Sequence, residues 1–140
     1  MQNVKIDPAE QVDSYCYSRI VDMSFDDTIV RITEELKKVE FGVVTEINVA
    51  DILKKRMDVA FRRYTILGAC NPAFALKIIS EEPRAGTMLP CSIVVQEITK
   101  DSVEVSVIDP VASLMAIKNE KILPDLIDVQ QRLRKVLAGI

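Results

Sequence analysis

Apolar positions recur at helical spacing at Phe25, Ile29, Ile32, Leu36 and Val39, which gives one buried face of an amphipathic helix. Ser24 stands ahead of it as an N-cap, with Asp27 three residues on in a capping-box-like start, and Gly42 reads as its C-terminal stop. A run over about 14–22, rich in aromatic and β-branched residues, predicts a strand before this helix. Residues 42–47 (Gly-Val-Val-Thr-Glu-Ile) read as the next strand, and Asn48 with Asp51 opens a short amphipathic helix to about Met57.

A further strand is expected over 62–70, apolar at Tyr64, Ile66, Leu67 and Ala69. Asn71-Pro72 then starts a helix, with Asn as cap and Pro at the first helical position, where its missing N–H costs nothing. That helix fades near Pro83, and Arg84-Ala85-Gly86 forms a turn. Residues 91–98 and 103–108 predict a hairpin joined by Thr99-Lys100-Asp101-Ser102. Its second arm alternates Val103, Val105 and Val107 with Glu104 and Ser106, the pattern of a sheet buried on one face. Asp109-Pro110 closes the strand ahead of a short apolar segment over 111–117. A last helix over about 123–138 buries Leu126, Leu133 and Leu137. Strands and helices mixed with an antiparallel hairpin make this an α+β chain, with a single mixed or antiparallel sheet and helices packed on one face.

The 140 residues suit one domain, and 49% hydrophobic with 28% charged residues is a globular composition. The opening stretch to Gln11 is polar and acidic, without a basic start and apolar run, and no segment reaches the roughly 18 apolar residues of a membrane helix. A cytoplasmic protein that does not engage membranes is the expectation. A net charge of −3 argues against a general nucleic-acid binder, which needs a basic footprint. The local exception is Lys54, Lys55, Arg56, Arg62 and Arg63 against the single acid Asp58. As a charge run it reads as a solvated helix end and strand entry; the sharper reading is an anion-binding rim.

The chain contains no histidine. That removes His-assisted nucleophiles, His-ligated zinc and His-ligated haem together, and leaves carboxylates, Lys, Tyr and Cys for any acid–base work. Three cysteines occur, Cys16, Cys70 and Cys91, none in a C-x-x-C. The structural reading makes all three small buried hydrophobes. The functional reading rests on two contexts. Cys70 precedes the Asn71-Pro72 helix start, where the positive end of the helix dipole favours thiolate. Cys91 follows Leu89-Pro90 at the opening of a strand, so neighbouring strands would turn both sulfurs into one cleft.

Phe41-Gly42-Val43-Val44-Thr45-Glu46-Ile47, Ile66-Leu67-Gly68-Ala69-Cys70-Asn71-Pro72, Leu89-Pro90-Cys91 and Ile108-Asp109-Pro110, in this order and spacing, resemble the family known as domain of unknown function 302. The likeness spans roughly Asp22 to Pro110. It implies a β-α-β4-α domain, with a core over about 14–110 and the C-terminal helix over 123–138, and a homodimer fits that family. The chain departs from the family's pattern after the second cysteine, with Ser92 where Asn is common. The family brings a fold and no activity.

Two functions of different class follow. One is a site for a small ligand, a soft metal or thiol redox near Cys70, Cys91 and Glu46, with no cofactor specified; Asn71 and Arg62 would serve an anionic ligand such as a phosphate or carboxylate. The other is a non-catalytic homo-oligomeric module in which the cysteines are core residues. An enzyme is the weaker expectation, because Asp109, Glu46 and Tyr64 all have ordinary structural readings.

Overall fold

The computed structural model describes residues 10–140; residues 1–9, most of the polar opening stretch, lie outside the described residues. Six strands, β1 (Glu10–Val12), β2 (Cys16–Val21), β3 (Gly42–Asn48), β4 (Tyr64–Cys70), β5 (Cys91–Thr99) and β6 (Ser102–Ile108), form one sheet in the order β1-β2-β6-β5-β4-β3. Every pairing is antiparallel. The helices are α1 (Phe25–Lys38), α2 (Val49–Met57), α3 (Pro72–Glu81), the four-residue α4 (Pro110–Ser113) and α5 (Leu123–Ala138). The expected α+β class and the β-α-β4-α order hold from β2 onward, with α2 and α3 carried as connections between strands. No helix among the described residues is long and apolar enough to cross a membrane.

The alternation of β6 places Val103, Val105 and Val107 on one face with no exposure, opposite Val95 and Ile93 of β5. β4 adds Leu67 and Ala69 to the same face. α1 covers it with Phe25, Ile32 and Leu36, and α5 with Val129, Leu133, Val136 and Leu137. Truncating one of these large side chains to Ala costs about 2–5 kcal/mol, the transfer loss plus the cavity left behind. The apolar residues of β4 fall on both faces of the sheet. Leu67 and Ala69 face the core, whereas Tyr64 and Ile66 point to the opposite face and stay half-buried.

Caps form as the side chains dictate. The Ser24 Oγ accepts from the Asp27 N–H at 3.2 Å, and the Asn48 Oδ1 from the Asp51 N–H at 2.9 Å. The stop of α1 differs from the expected Gly42. Glu40 takes the left-handed conformation at φ 65°, while its N–H reaches the Lys37 carbonyl and the Phe41 N–H reaches the Leu36 carbonyl. These two bonds make a Schellman motif with a Leu36–Phe41 apolar closure, so Gly42 is free to begin β3. No local pattern in the sequence predicts β1. Its Glu10 pairs with Arg134 of α5 at 3.1 Å, both side chains nearly buried, and Arg134 also stacks over Tyr17 at 4.4 Å. A contact across 124 positions leaves no local pattern to read.

Candidate functional site

β4 ends at Cys70, and the chain turns at once into α3 because Asn71 caps it. The Asn71 Oδ1 accepts from the Ala73 and Phe74 N–H groups at 3.0 and 3.2 Å, and its Nδ2 donates to the Glu40 carbonyl at 2.9 Å. Asn71 thus fastens the start of α3 to the end of α1, and it is buried. Beyond α3, the turn over 83–88 and a cis Leu89–Pro90 peptide bond bring the chain back into β5 at Cys91. Pro90 lies against β4 where Gly68 carries no side chain. A Cβ there would sit 2.6 Å from the Pro90 ring and would also collide with the Thr45 methyl.

Two apolar clusters meet at this end of the sheet. The main core lies between the sheet, α1 and α5, and a smaller cluster joins Ile78, Ala85, Leu114, Ile122 and Leu126. Phe74 packs against both. At the seam is a cavity of about 300 Å³, walled by Phe41, Phe74 and Ile78, by Cys70, Asn71 and Cys91, and by Pro110, Leu114, Leu126 and Val129. Val44 (64% exposed), Ile79 (42%) and the exposed Pro90 mark its mouth. Lys77 ties α3 to α5, with Nζ 3.1 Å and 3.0 Å from the two Asp125 carboxylate oxygens.

The walls offer almost no hydrogen bonding. Asn71 is the one amide among them, and its oxygen and one of its two N–H donors are engaged. The remaining polar atoms are the two thiols. Cys91 is 7% exposed, and burial, with Cys70 adding a smaller contribution, pushes its thiol from the ordinary 9.0 to about 11. It is a neutral thiol at physiological pH, which makes it a weak nucleophile. Cys91 pairs in register with Ala69, not with Cys70. Successive strand side chains leave on opposite faces, so Cys70 and Cys91 approach the cavity from different sides of β4.

The other residues expected at this site stand elsewhere. Glu46 faces Leu67 across β3–β4, whereas Cys70 faces Gly42, which sets the carboxylate roughly 10 Å along the strand. Glu46 stands four positions beyond Gly42 in β3, and the register shift between Val43 and Thr45 shortens the separation by only one partner position. No cluster of three or more Cys, Asp or Glu suited to a metal occurs among the described residues. Arg62 lies beyond the far end of β4, where it donates to the Gln96 Oε1 at 3.0 Å and stacks on Phe61 at 4.5 Å.

The basic stretch around it is largely paired. Lys54 meets Asp58, Lys55 meets Asp51, and Arg63 meets Asp26 while covering the Phe25 ring. It is separated from the Asn71 cap by the whole length of β4, so the two do not form one anion site. The α3 N-terminus has its Ala73 and Phe74 N–H groups already taken by Asn71. Asp109 has the structural role that its place at a strand end suggested. One oxygen caps α4 through the Val111 N–H at 3.0 Å and accepts from Gln130, and the other accepts from the Tyr17 hydroxyl at 3.3 Å. Burial first, and the neighbouring Asp109 second, raise the Tyr17 hydroxyl above its usual range. Cys16 lies on the opposite face of the sheet from Cys91.

Sequence reasoning missed the cavity walls from α3, α4 and α5. The one available signal is α3 itself, Pro-Ala-Phe-Ala-Leu-Lys-Ile-Ile-Ser-Glu, apolar on nearly every side although only Ile78 is buried. A helix apolar all round marks a covered or ligand-facing element.

Comparison with known proteins agrees with this architecture. A crystal structure of an uncharacterized conserved DUF302 protein from Bacillus stearothermophilus superposes with a TM-score of 0.81 at 26% identity, over 89% of this chain and 96% of that one. No curated protein matches the chain. The family model described as domain of unknown function DUF302 matches residues 17–140, and the chain belongs to that family.

Proposed function

We propose that this protein is a binding module for a small apolar molecule, held in the cavity between β4, β5, α3 and α5. The observation that carries the reading is the cavity's chemistry. About 300 Å³ of space lies behind apolar walls whose one amide is already engaged. A cavity of roughly 150 Å³ with such walls takes benzene, so twice that volume suits a two-ring aromatic or a short acyl chain. It lies at the low end of the ~300–1,000 Å³ usual for ligand sites. The occupant gains by leaving water and makes no demand for polar partners, which these walls could not supply.

Cys70 and Cys91 are wall residues in this reading. The raised pKa of Cys91 favours it over a redox thiol, the distant Glu46 favours it over a soft-metal site, and the paired cations favour it over an anionic ligand. The test uses naphthalene and octanol as probes in thermal-shift and heteronuclear NMR titrations of the full chain. Both should raise Tm and move the Phe74, Ile78 and Cys91 resonances together. Ala75 lines the cavity from α3 and is half-buried. Ala75→Phe should fill the space and weaken probe binding at least tenfold while the fold is kept. Absence of any shift at saturating probe, or binding untouched in Ala75→Phe, would refute the proposal.

A further inference from the structure

We propose, resting on the reading above that the cavity takes a small apolar molecule, that its occupant carries one carbonyl group and that Asn71 receives it. The ligand class is then a ketone, aldehyde or ester on a hydrocarbon body. Asn71 is 7% exposed and lines the cavity from the start of α3. A side-chain amide has two N–H donors and an oxygen with two lone pairs. Here the oxygen accepts from the Ala73 and Phe74 N–H groups, and the nitrogen donates to the Glu40 carbonyl. Those three bonds also fix which end of the amide is nitrogen. The second N–H has no partner among the described residues. A buried donor left unmet is uncommon in a folded protein.

That free N–H selects the chemistry of the ligand. The amide oxygen is already full, so an occupant's hydroxyl or amine would take the N–H and leave its own proton without an acceptor. The Cys70 and Cys91 thiols, the other polar side chains of the walls, are weak partners. A carboxylate would exchange its hydration for apolar walls, at large cost. A carbonyl oxygen only accepts, so one N–H satisfies it and no proton is left over. The remaining walls, such as Phe41, Phe74, Ile78, Leu114 and Val129, suit the hydrocarbon body. An alcohol such as octanol enters with its hydroxyl left in water at the mouth, whereas a ketone enters whole.

The test compares 1-indanone with indane, the same skeleton without the carbonyl, by NMR titration of the full chain, native and Asn71→Asp. Aspartate keeps the acceptor that caps α3 and has no N–H to donate. In the native protein 1-indanone should shift the Asn71 side-chain amide protons, and indane should leave them nearly in place. The ratio of 1-indanone affinity to indane affinity should fall at least tenfold in Asn71→Asp. Indane bound in the cavity with the same ratio in both proteins would overturn the carbonyl assignment and leave the apolar binding site standing. Neither probe bound at saturation would overturn both. Should Asn71→Asp fold poorly, the infrared carbonyl stretch of 1-indanone bound to the native protein decides. It should lie below its frequency in hexane, and an unchanged frequency counts equally against the proposal.

Discussion

At Cys91 the packing decides the chemistry of the side chain. Burial holds the proton until about pH 11, whereas the unfolded chain releases it near 9.0. The group's folded pKa is raised, so its contribution is full below pH 9 and is lost as pH rises through 11. Urea midpoints should therefore fall between pH 8.5 and 10.5, and Cys91→Ala should flatten that fall; an equal slope in both proteins would contradict the assignment. Gly68 is the second residue whose identity is forced. Gly68→Ala places a Cβ 2.6 Å from the Pro90 ring, which cannot swing aside as a flexible chain would. The expected cost is about 1–3 kcal/mol by chemical denaturation. Glu40 offers the opposite sign. At φ 65° it bears the left-handed cost of about 1 kcal/mol, and glycine there loses back some of the gain in backbone entropy. Glu40→Gly should stabilise the protein by about 0.5 kcal/mol.

Among the elements, α3 depends most on one side chain. Asn71→Ala removes the cap of α3 and its anchor on the Glu40 carbonyl together, and should cost about 1–3 kcal/mol in urea unfolding. Asn71→Asp keeps the acceptor and loses the donor, so its cost should fall between. This cap was legible in the sequence, as were α5 and the β5–β6 hairpin, because each rests on residues close in the chain: Asn before Pro, leucines at helical spacing, alternating valines. What stayed illegible was non-local. β1 is three residues held by the buried Glu10–Arg134 pair, and the β3–β4 register that sets Gly42, not Glu46, opposite Cys70 joins two distant stretches of chain. The α1 stop was misplaced because Glu40, a residue with no preference for left-handed backbone, fills the position that glycine usually takes.

For the whole molecule, the sequence led to Cys70 and Cys91 but not to what surrounds them. The cavity arises where a main core and a smaller cluster meet around Phe74, and its walls come from five separate stretches of chain. No short-range pattern encodes such a seam. The cysteines mark the place, and the apolar walls define its chemistry. The most direct test of that account is an NMR titration of the native protein with naphthalene, repeated on Ala75→Phe. Saturable shifts confined to the Phe74–Ile78–Cys91 wall are expected in the native protein, with binding weakened at least tenfold in the variant. Shifts scattered over the surface, or identical in both proteins, would contradict it.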